Sequence, residues 1–129
     1  MELLPEGQQN QVEVLFSDQQ KINEFSKLIQ RKDKLTSILE KQNQEKEYLD
    51  DVSMEIELLD EDELVNYKIS SAFVKLRQEE VVERLEKDTQ LVETEIEALQ
   101  DKLSTIESRL SELKTDLYTK FGKNINLER

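Results

Sequence analysis

No cysteine, histidine or tryptophan occurs among the 129 residues. Without cysteine there is no disulfide framework and no thiol nucleophile. Without histidine there is no imidazole base, and losing both residue types removes the usual zinc site. Basic residues are scarce: 18 Lys+Arg face 30 Asp+Glu, a net charge of −12. Such a chain is poorly suited to nucleic acid, whose phosphates need Lys and Arg to neutralise them. Long apolar runs are missing too. The longest are Val14-Leu15-Phe16 and Ala72-Phe73-Val74, far short of a bilayer span, so no membrane partner is expected. The first residues show no basic stretch followed by an apolar one, so no signal peptide is expected. No glycine-rich phosphate loop exists. The acidic run Asp60-Glu61-Asp62-Glu63-Leu64-Val65 lacks calcium-loop spacing, with Val65 where glycine belongs. Carboxylate pairs such as Asp50-Asp51 fall in helical sequence with no sign of a pocket. These absences predict a protein that is not an enzyme and holds no metal or cofactor.

Charged residues make up 37% of the chain and aromatics 5%. That composition suits a long helix or coiled coil, or else a disordered acidic chain. Apolar spacing decides between them. Pro5, Gly7 and Gly122 are the only helix breakers, so residues 8–121 are free of both types. Ser17 reads as an N-cap, with Gln20 three residues on completing a capping box. Asp18 places negative charge in the first turn. From there Ile22, Phe25, Leu28, Ile29, Leu35, Ile38, Leu39, Leu49, Val52, Ile56 and Leu59 step by threes and fours. The stripe weakens between Glu40 and Tyr48, where heptads land on Gln42 and Glu45; this part of the seam is expected to zip less tightly. The second half is more regular. Leu85, Val92, Ile96, Leu99, Leu103, Ile106, Leu110, Leu113 and Leu117 alternate in threes and fours, broken only at Thr89. Gly122 stands where a helix favours a left-handed residue.

Between the halves the period drops to two. Val65, Tyr67 and Ile69 alternate with Asn66 and Lys68, and Ala72, Val74 and Leu76 with Phe73, Lys75 and Arg77. Ser70-Ser71 between them predicts a β-hairpin with a two-residue turn. The expected organisation is therefore one mainly α domain over 1–129. It comprises an N-terminal tip segment (1–16), helix one (17–60), an acidic loop and hairpin (61–77), helix two (78–121) and a C-terminal tip segment (122–129). Helices of matched length, each roughly 65 Å, predict an antiparallel two-helix coiled coil with both chain ends at one tip.

Two features call for partners. A lone two-stranded hairpin is marginal in water, and its edges leave backbone groups unpaired. Pairing with hairpins of other chains would satisfy them; folding down against Leu59 and Val81 is the alternative. At the other end, Leu3, Leu4, Val12, Val14, Leu15 and Phe16 gather with Phe121, Ile125 and Leu127. They form either a binding surface for another protein or a self-satisfied cap in which the N-terminal segment covers the open coil end.

Helix–hairpin–helix with both termini at the tip resembles a β-type prefoldin subunit. Val14-Leu15-Phe16-Ser17-Asp18-Gln19-Gln20-Lys21-Ile22-Asn23-Glu24-Phe25 is similar to the N-terminal signature of one branch of that family. Leu117-Tyr118-Thr119-Lys120-Phe121-Gly122-Lys123-Asn124-Ile125-Asn126-Leu127-Glu128 resembles its C-terminal signature. Asp60-Glu61-Asp62, Tyr67-Lys68-Ile69 and Phe73 also fit, so the likeness spans essentially the whole chain. Where the family usually has glycine in the hairpin turn, this chain has Ser70.

The resemblance implies a cytosolic co-chaperone, a hexamer of two α-type and four β-type subunits. This chain's partners would then be two α-type and three further β-type prefoldin subunits. Their hairpins would form a double β-barrel body, from which coils hold unfolded actin and tubulin chains for the cytosolic chaperonin, without nucleotide. By the same likeness the hairpin from Leu64 to Arg77 carries assembly, through Leu64, Val65, Tyr67, Ile69, Phe73, Val74 and Leu76. Val14, Phe16, Ile22, Phe25, Phe121, Ile125 and Leu127 are the expected client contacts. A strong like charge keeps exposed apolar surface soluble, and several weak tips acting together gain avidity. The other reading is a structural or tethering coiled-coil scaffold, which needs neither the hairpin nor apolar tips.

Overall fold

A computed structural model describes residues 2–3, 15–122 and 125–127. The element order is β1 (Glu2–Leu3), α1 (Phe16–Glu57), β2 (Leu64–Ile69), β3 (Ala72–Arg77), α2 (Gln78–Phe121) and β4 (Ile125–Asn126). Two long helices thus flank an antiparallel hairpin. The chain divides into two compact units, residues 1–37 with 100–129, and residues 38–99. Both helices contribute to both units.

In the first unit the helices run antiparallel and close one apolar cluster. Phe25 and Ile29 of α1 meet Ile106, Leu110, Leu113, Leu117 and Phe121 of α2, with Ile125 and Leu127 joining from beyond Gly122. Ile22, Leu28 and Leu35 pack against its margin. The burial follows the three-four spacing, which places these side chains on one face of each helix. Ion pairs flank the seam: Lys21 reaches Asp116 at 3.6 Å and Lys32 reaches Glu107 at 3.7 Å. Arg109 grips Glu24 through two bonds, from Nε at 2.6 Å and Nη2 at 2.8 Å. A planar guanidinium matches a carboxylate in that geometry. It fixes register as much as it stabilises, since exposed pairs contribute little.

The second unit centres on Leu49, Val81 and Leu85. Val52, Ile56, Val92 and the hairpin's Val65, Tyr67 and Leu76 pack around them. Apolar layers are sparse beyond Leu49, where the sequence puts Gln42 and Glu45 on the seam. There polar contacts cross between the helices instead. Gln42 Nε2 donates to Glu95 at 2.6 Å, and Lys46 meets Glu93 at 3.9 Å.

α1 stops at Glu57, three residues short of the expected boundary at 60. Asp60–Glu63 follow, and carboxylates crowd the negative end of a helix dipole that has no basic residue in its last turn. Leu58 and Leu59 donate back to Glu55 and Ile56 carbonyls, tightening the end. The acidic residues form an ordered turn, with Glu63 N–H donating to the Asp60 carbonyl at 3.0 Å. That loop then caps α2. The N–H groups of Gln78 and Glu79 donate to the Glu63 and Glu61 carbonyls, at 2.8 and 3.4 Å. The buried Gln78 side chain donates a second bond to the Ile56 carbonyl at 3.0 Å, tying the start of α2 to the end of α1.

Candidate assembly hairpin and coil tip

The hairpin register pairs Leu64 with Arg77, Val65 with Leu76, Asn66 with Lys75, Tyr67 with Val74, Lys68 with Phe73 and Ile69 with Ala72. Side chains alternate between faces. One face therefore holds Val65, Tyr67, Ile69, Ala72, Val74 and Leu76. The other holds Leu64, Asn66, Lys68, Phe73, Lys75 and Arg77. The apolar face sits on the Leu49–Val81–Leu85 cluster through Val65, Tyr67 and Leu76. The hairpin does fold down on Val81, but only with half its length. Towards the turn, Ile69 and Val74 remain exposed, as do Phe73 and Leu64 on the other face. The sheet has two strands, so one edge of each is unpaired among the described residues.

Tyr67 anchors the apolar face. Its hydroxyl donates to Asp88 at 3.3 Å, and the Arg84 guanidinium lies 5.8 Å from its ring centre. Burial first, then the Asp88 charge, pushes the phenol above its ordinary value of 10.0. The two-residue turn is confirmed, with Ser70 at φ +55°. A left-handed first position is what a glycine would supply, so Ser70 holds that conformation under mild strain.

At the tip, the cap of α1 differs from the expected one. The helix begins at Phe16, so Ser17 lies inside the first turn. Leu15 occupies the cap position, and its N–H donates to Asp18 Oδ2 at 3.0 Å. This is the reciprocal half of a capping box, made by a side chain in the third helical position. Ser17 fails as the cap because Asp18 supplies both the acceptor and a charge suited to the helix dipole. Asp18 is itself buried and also ion-pairs with Lys120 in the last turn of α2. That Lys120 hydrogen bond holds the Asp18 carboxyl below its usual range.

Beyond Phe121 the chain reverses at Gly122, whose φ of +56° favours glycine. Ile125 and Leu127 then return over the coil end and are buried with Phe121 and Phe25. Leu127 N–H donates to the Tyr118 hydroxyl at 3.0 Å. β4 pairs with β1, Glu2 opposite Asn126 and Leu3 opposite Ile125.

Of the residues expected to meet clients, then, Phe25, Phe121, Ile125 and Leu127 are packed inside the unit, and Ile22 lies at its margin. They build a cap on the coil end that the C-terminal residues supply; the N-terminal segment expected to cover it lies, from 4 to 14, outside the described residues. Among the described residues of the tip, the accessible apolar surface includes Phe16, 78% exposed, with Leu15 beside it at 48%, and Tyr118 at 38%. Val14 lies outside the described residues, as do Leu4 and Val12. Sequence reasoning missed the Asp18–Lys120 and Glu24–Arg109 ties and the β1–β4 pairing. Nothing in a periodic pattern marks partners 102 and 85 residues apart. Strands of two residues leave no alternation to detect.

Comparison with known proteins gives this architecture its place. The family profile described as Prefoldin subunit matches residues 19–124. The chain belongs to the prefoldin subunit family. It is 59% identical over 129 residues to Prefoldin subunit 4 of Saccharomyces cerevisiae, covering 100% of both chains. It is 40% identical over 118 residues to the Homo sapiens Prefoldin subunit 4, covering 91% of this chain and 88% of that one. In fold it is similar to the prefoldin beta subunit from Thermococcus strain KS-1, with a TM-score of 0.78 at 18% identity over 85% of this chain and 96% of that one. Membership of a chaperone family supports a prefoldin co-chaperone role and implies assembly with other prefoldin subunits. Among the described residues no helix is long and apolar enough to cross a membrane. No group of His, Cys, Asp and Glu there could hold a metal ion.

Proposed function

We propose that this chain is a β-type subunit of a heterohexameric prefoldin that holds unfolded polypeptides at its coil tips. Its partners are two α-type and three further β-type subunits, whose hairpins join this one in a β-barrel body. Clients of the actin and tubulin type bind without nucleotide in the cytoplasm and pass to the cytosolic chaperonin.

The observation that carries the reading is the half-seated hairpin. Val65, Tyr67 and Leu76 are held by the chain's own core, while Ile69, Val74 and the strand edges are left open. Exposed β edges beside exposed apolar side chains favour pairing with another chain. At the tip, Phe16 and Leu15 present apolar surface on a chain of net charge −12, the combination a weak and reversible holder needs. The buried tip residues support that surface; they touch a client only where it displaces the cap.

Native mass spectrometry of the tagged chain recovered from its own cell extract tests assembly. A particle of six small subunits is expected, and a monomer or a dimer with one unrelated protein would refute it. Client holding is tested with Phe16→Ser in the reassembled complex. The variant should suppress aggregation of a denatured client less well at unchanged particle mass. Unimpaired suppression would remove Phe16 from the contact surface.

A further inference from the structure

The hairpin departs from the acidic character of the chain. From Leu64 to Arg77 it contains Lys68, Lys75 and Arg77 and no carboxylate, in a chain of net charge −12. The register places all three cations on the face turned away from the Leu49–Val81–Leu85 cluster. Lys75 lies two residues from Arg77 along β3 and diagonally across from Lys68 on β2, so the three are neighbours. Phe73 stands directly opposite Lys68, with 70% of its surface exposed. Leu64 stands opposite Arg77 and is 62% exposed. Arg77 makes one exposed ion pair, to Glu79 at 3.8 Å. Among the described residues, Lys68 and Lys75 have no ionic partner.

We propose that this face docks an acidic, extended polypeptide segment whose carboxylates meet Lys68, Lys75 and Arg77 and whose apolar side chain lies on Phe73. An exposed aromatic flanked by two lysines, with Arg77 further along the strand, has the anatomy of a small hot spot, an apolar anchor beside a charged rim. The charge is unlike that of the neighbouring sequence, so the partner must be the acidic one. Its length also follows. Screening confines each charge to about 8 Å at physiological salt, so a short acidic segment feels the hairpin alone. A long polyanion such as nucleic acid would also meet Glu79, Glu80 and Glu83 on α2 and the Asp60–Glu63 loop, and be repelled. The proposal rests on the assembly reading with assembly running through the strand edges and the apolar face, and it moves Leu64 and Phe73 from the assembly set that the family likeness implies to the docking face.

The test uses the assembled complex and a fluorescent twelve-residue Asp/Glu peptide with one central Phe. Two controls are a Gln/Asn peptide of the same length and an oligothymidylate of equal charge. Carbodiimide coupling, mapped by mass spectrometry, should join the acidic peptide to Lys68 and Lys75. In fluorescence anisotropy, the double substitution Lys68→Gln with Lys75→Gln should weaken binding about tenfold, two exposed charge pairs being lost. Lys68→Arg with Lys75→Arg should retain it. Coupling confined to helix lysines would overturn the proposal. So would equal binding of the neutral peptide or the oligonucleotide, or unchanged affinity of the Gln pair. If the Gln pair fails to assemble, the wild-type coupling map and the Arg pair still decide. Coupling seen on the free chain and lost in a complex of the expected mass would refute docking on this face and leave the assembly reading standing. A wrong particle mass would count against assembly alone.

Discussion

Leu113→Ala removes a side chain with none of its surface exposed, at the centre of the tip cluster. Phe25, Leu110, Leu117 and Phe121 share that cluster, and Ile125 and Leu127 close it from the coil end. A site enclosed on this many sides cannot collapse fully onto the missing atoms. Both the transfer loss and a cavity cost therefore apply, together about 3 kcal/mol. At roughly 1.36 kcal/mol per decade, the local opening equilibrium should rise about 150-fold. Hydrogen exchange on the assembled complex reads this directly, as faster exchange in peptides covering residues 108–121. Leu91→Ala is the control, because Leu91 is 64% exposed and its truncation should cost no more than about 0.5 kcal/mol. An acceleration below about tenfold for Leu113→Ala, or an equal one for Leu91→Ala, would show that the cap does not enclose the seam as argued.

Other outcomes follow from backbone and charge. Gly122→Ala should lower the denaturant midpoint by the equivalent of about 1 kcal/mol. Among the described residues no atom beyond the chain neighbours stands within 4 Å of the added methyl, so the loss would come from the left-handed φ of +56° and not from a clash. Ser70→Gly should leave stability equal or up to about 1 kcal/mol higher, because relief at φ +55° is partly offset by unfolded-state entropy; a clear loss would mean the Ser70 side chain has a stabilising role. The Glu24 carboxyl is held below its ordinary 4.5 by Arg109, and Asp18 below 3.8 by Lys120. The folded state then binds fewer protons than the unfolded one, so both pairs stabilise fully above about pH 5 and lose that effect as pH falls through the depressed values. The gap in melting temperature between the parent chain and Glu24→Gln should accordingly shrink between pH 7 and pH 3, and a constant gap would contradict the sign.

The elements readable in advance were those with a sustained period. Spacing alone puts Leu85, Ile96, Ile106, Leu110, Leu113 and Leu117 on one helical face, and all are buried. The alternation at Val65, Tyr67 and Leu76 separated the seated face of the hairpin from the open one. Phe25 and Phe121 show where that reasoning stops. Spacing marks an apolar residue as one that must be covered, without saying by what. Their cover comes from Ile125 and Leu127, beyond a glycine turn and outside any repeat. The cap of α1 is illegible in the sequence for a related reason. Ser17 and Asp18 both suit a helix start, and only the position of Leu15 N–H decides which acts.

The direct junction of β3 and α2 has a consequence for how the molecule acquires its alignment. Arg77 ends the strand and Gln78 begins the helix, with no residue between them. Strand pairing therefore acts as a phase setter for the helix. A slip of one residue in the hairpin would turn every β3 side chain to the opposite face. It would also rotate α2 by about 100° about its axis. Val81 and Leu85, the first buried apolar positions of α2, would leave the seam together with Leu76. A two-residue turn at Ser70-Ser71 thus works like the indexing pin of a gear, fixing in one local step which side of a 44-residue helix faces its partner.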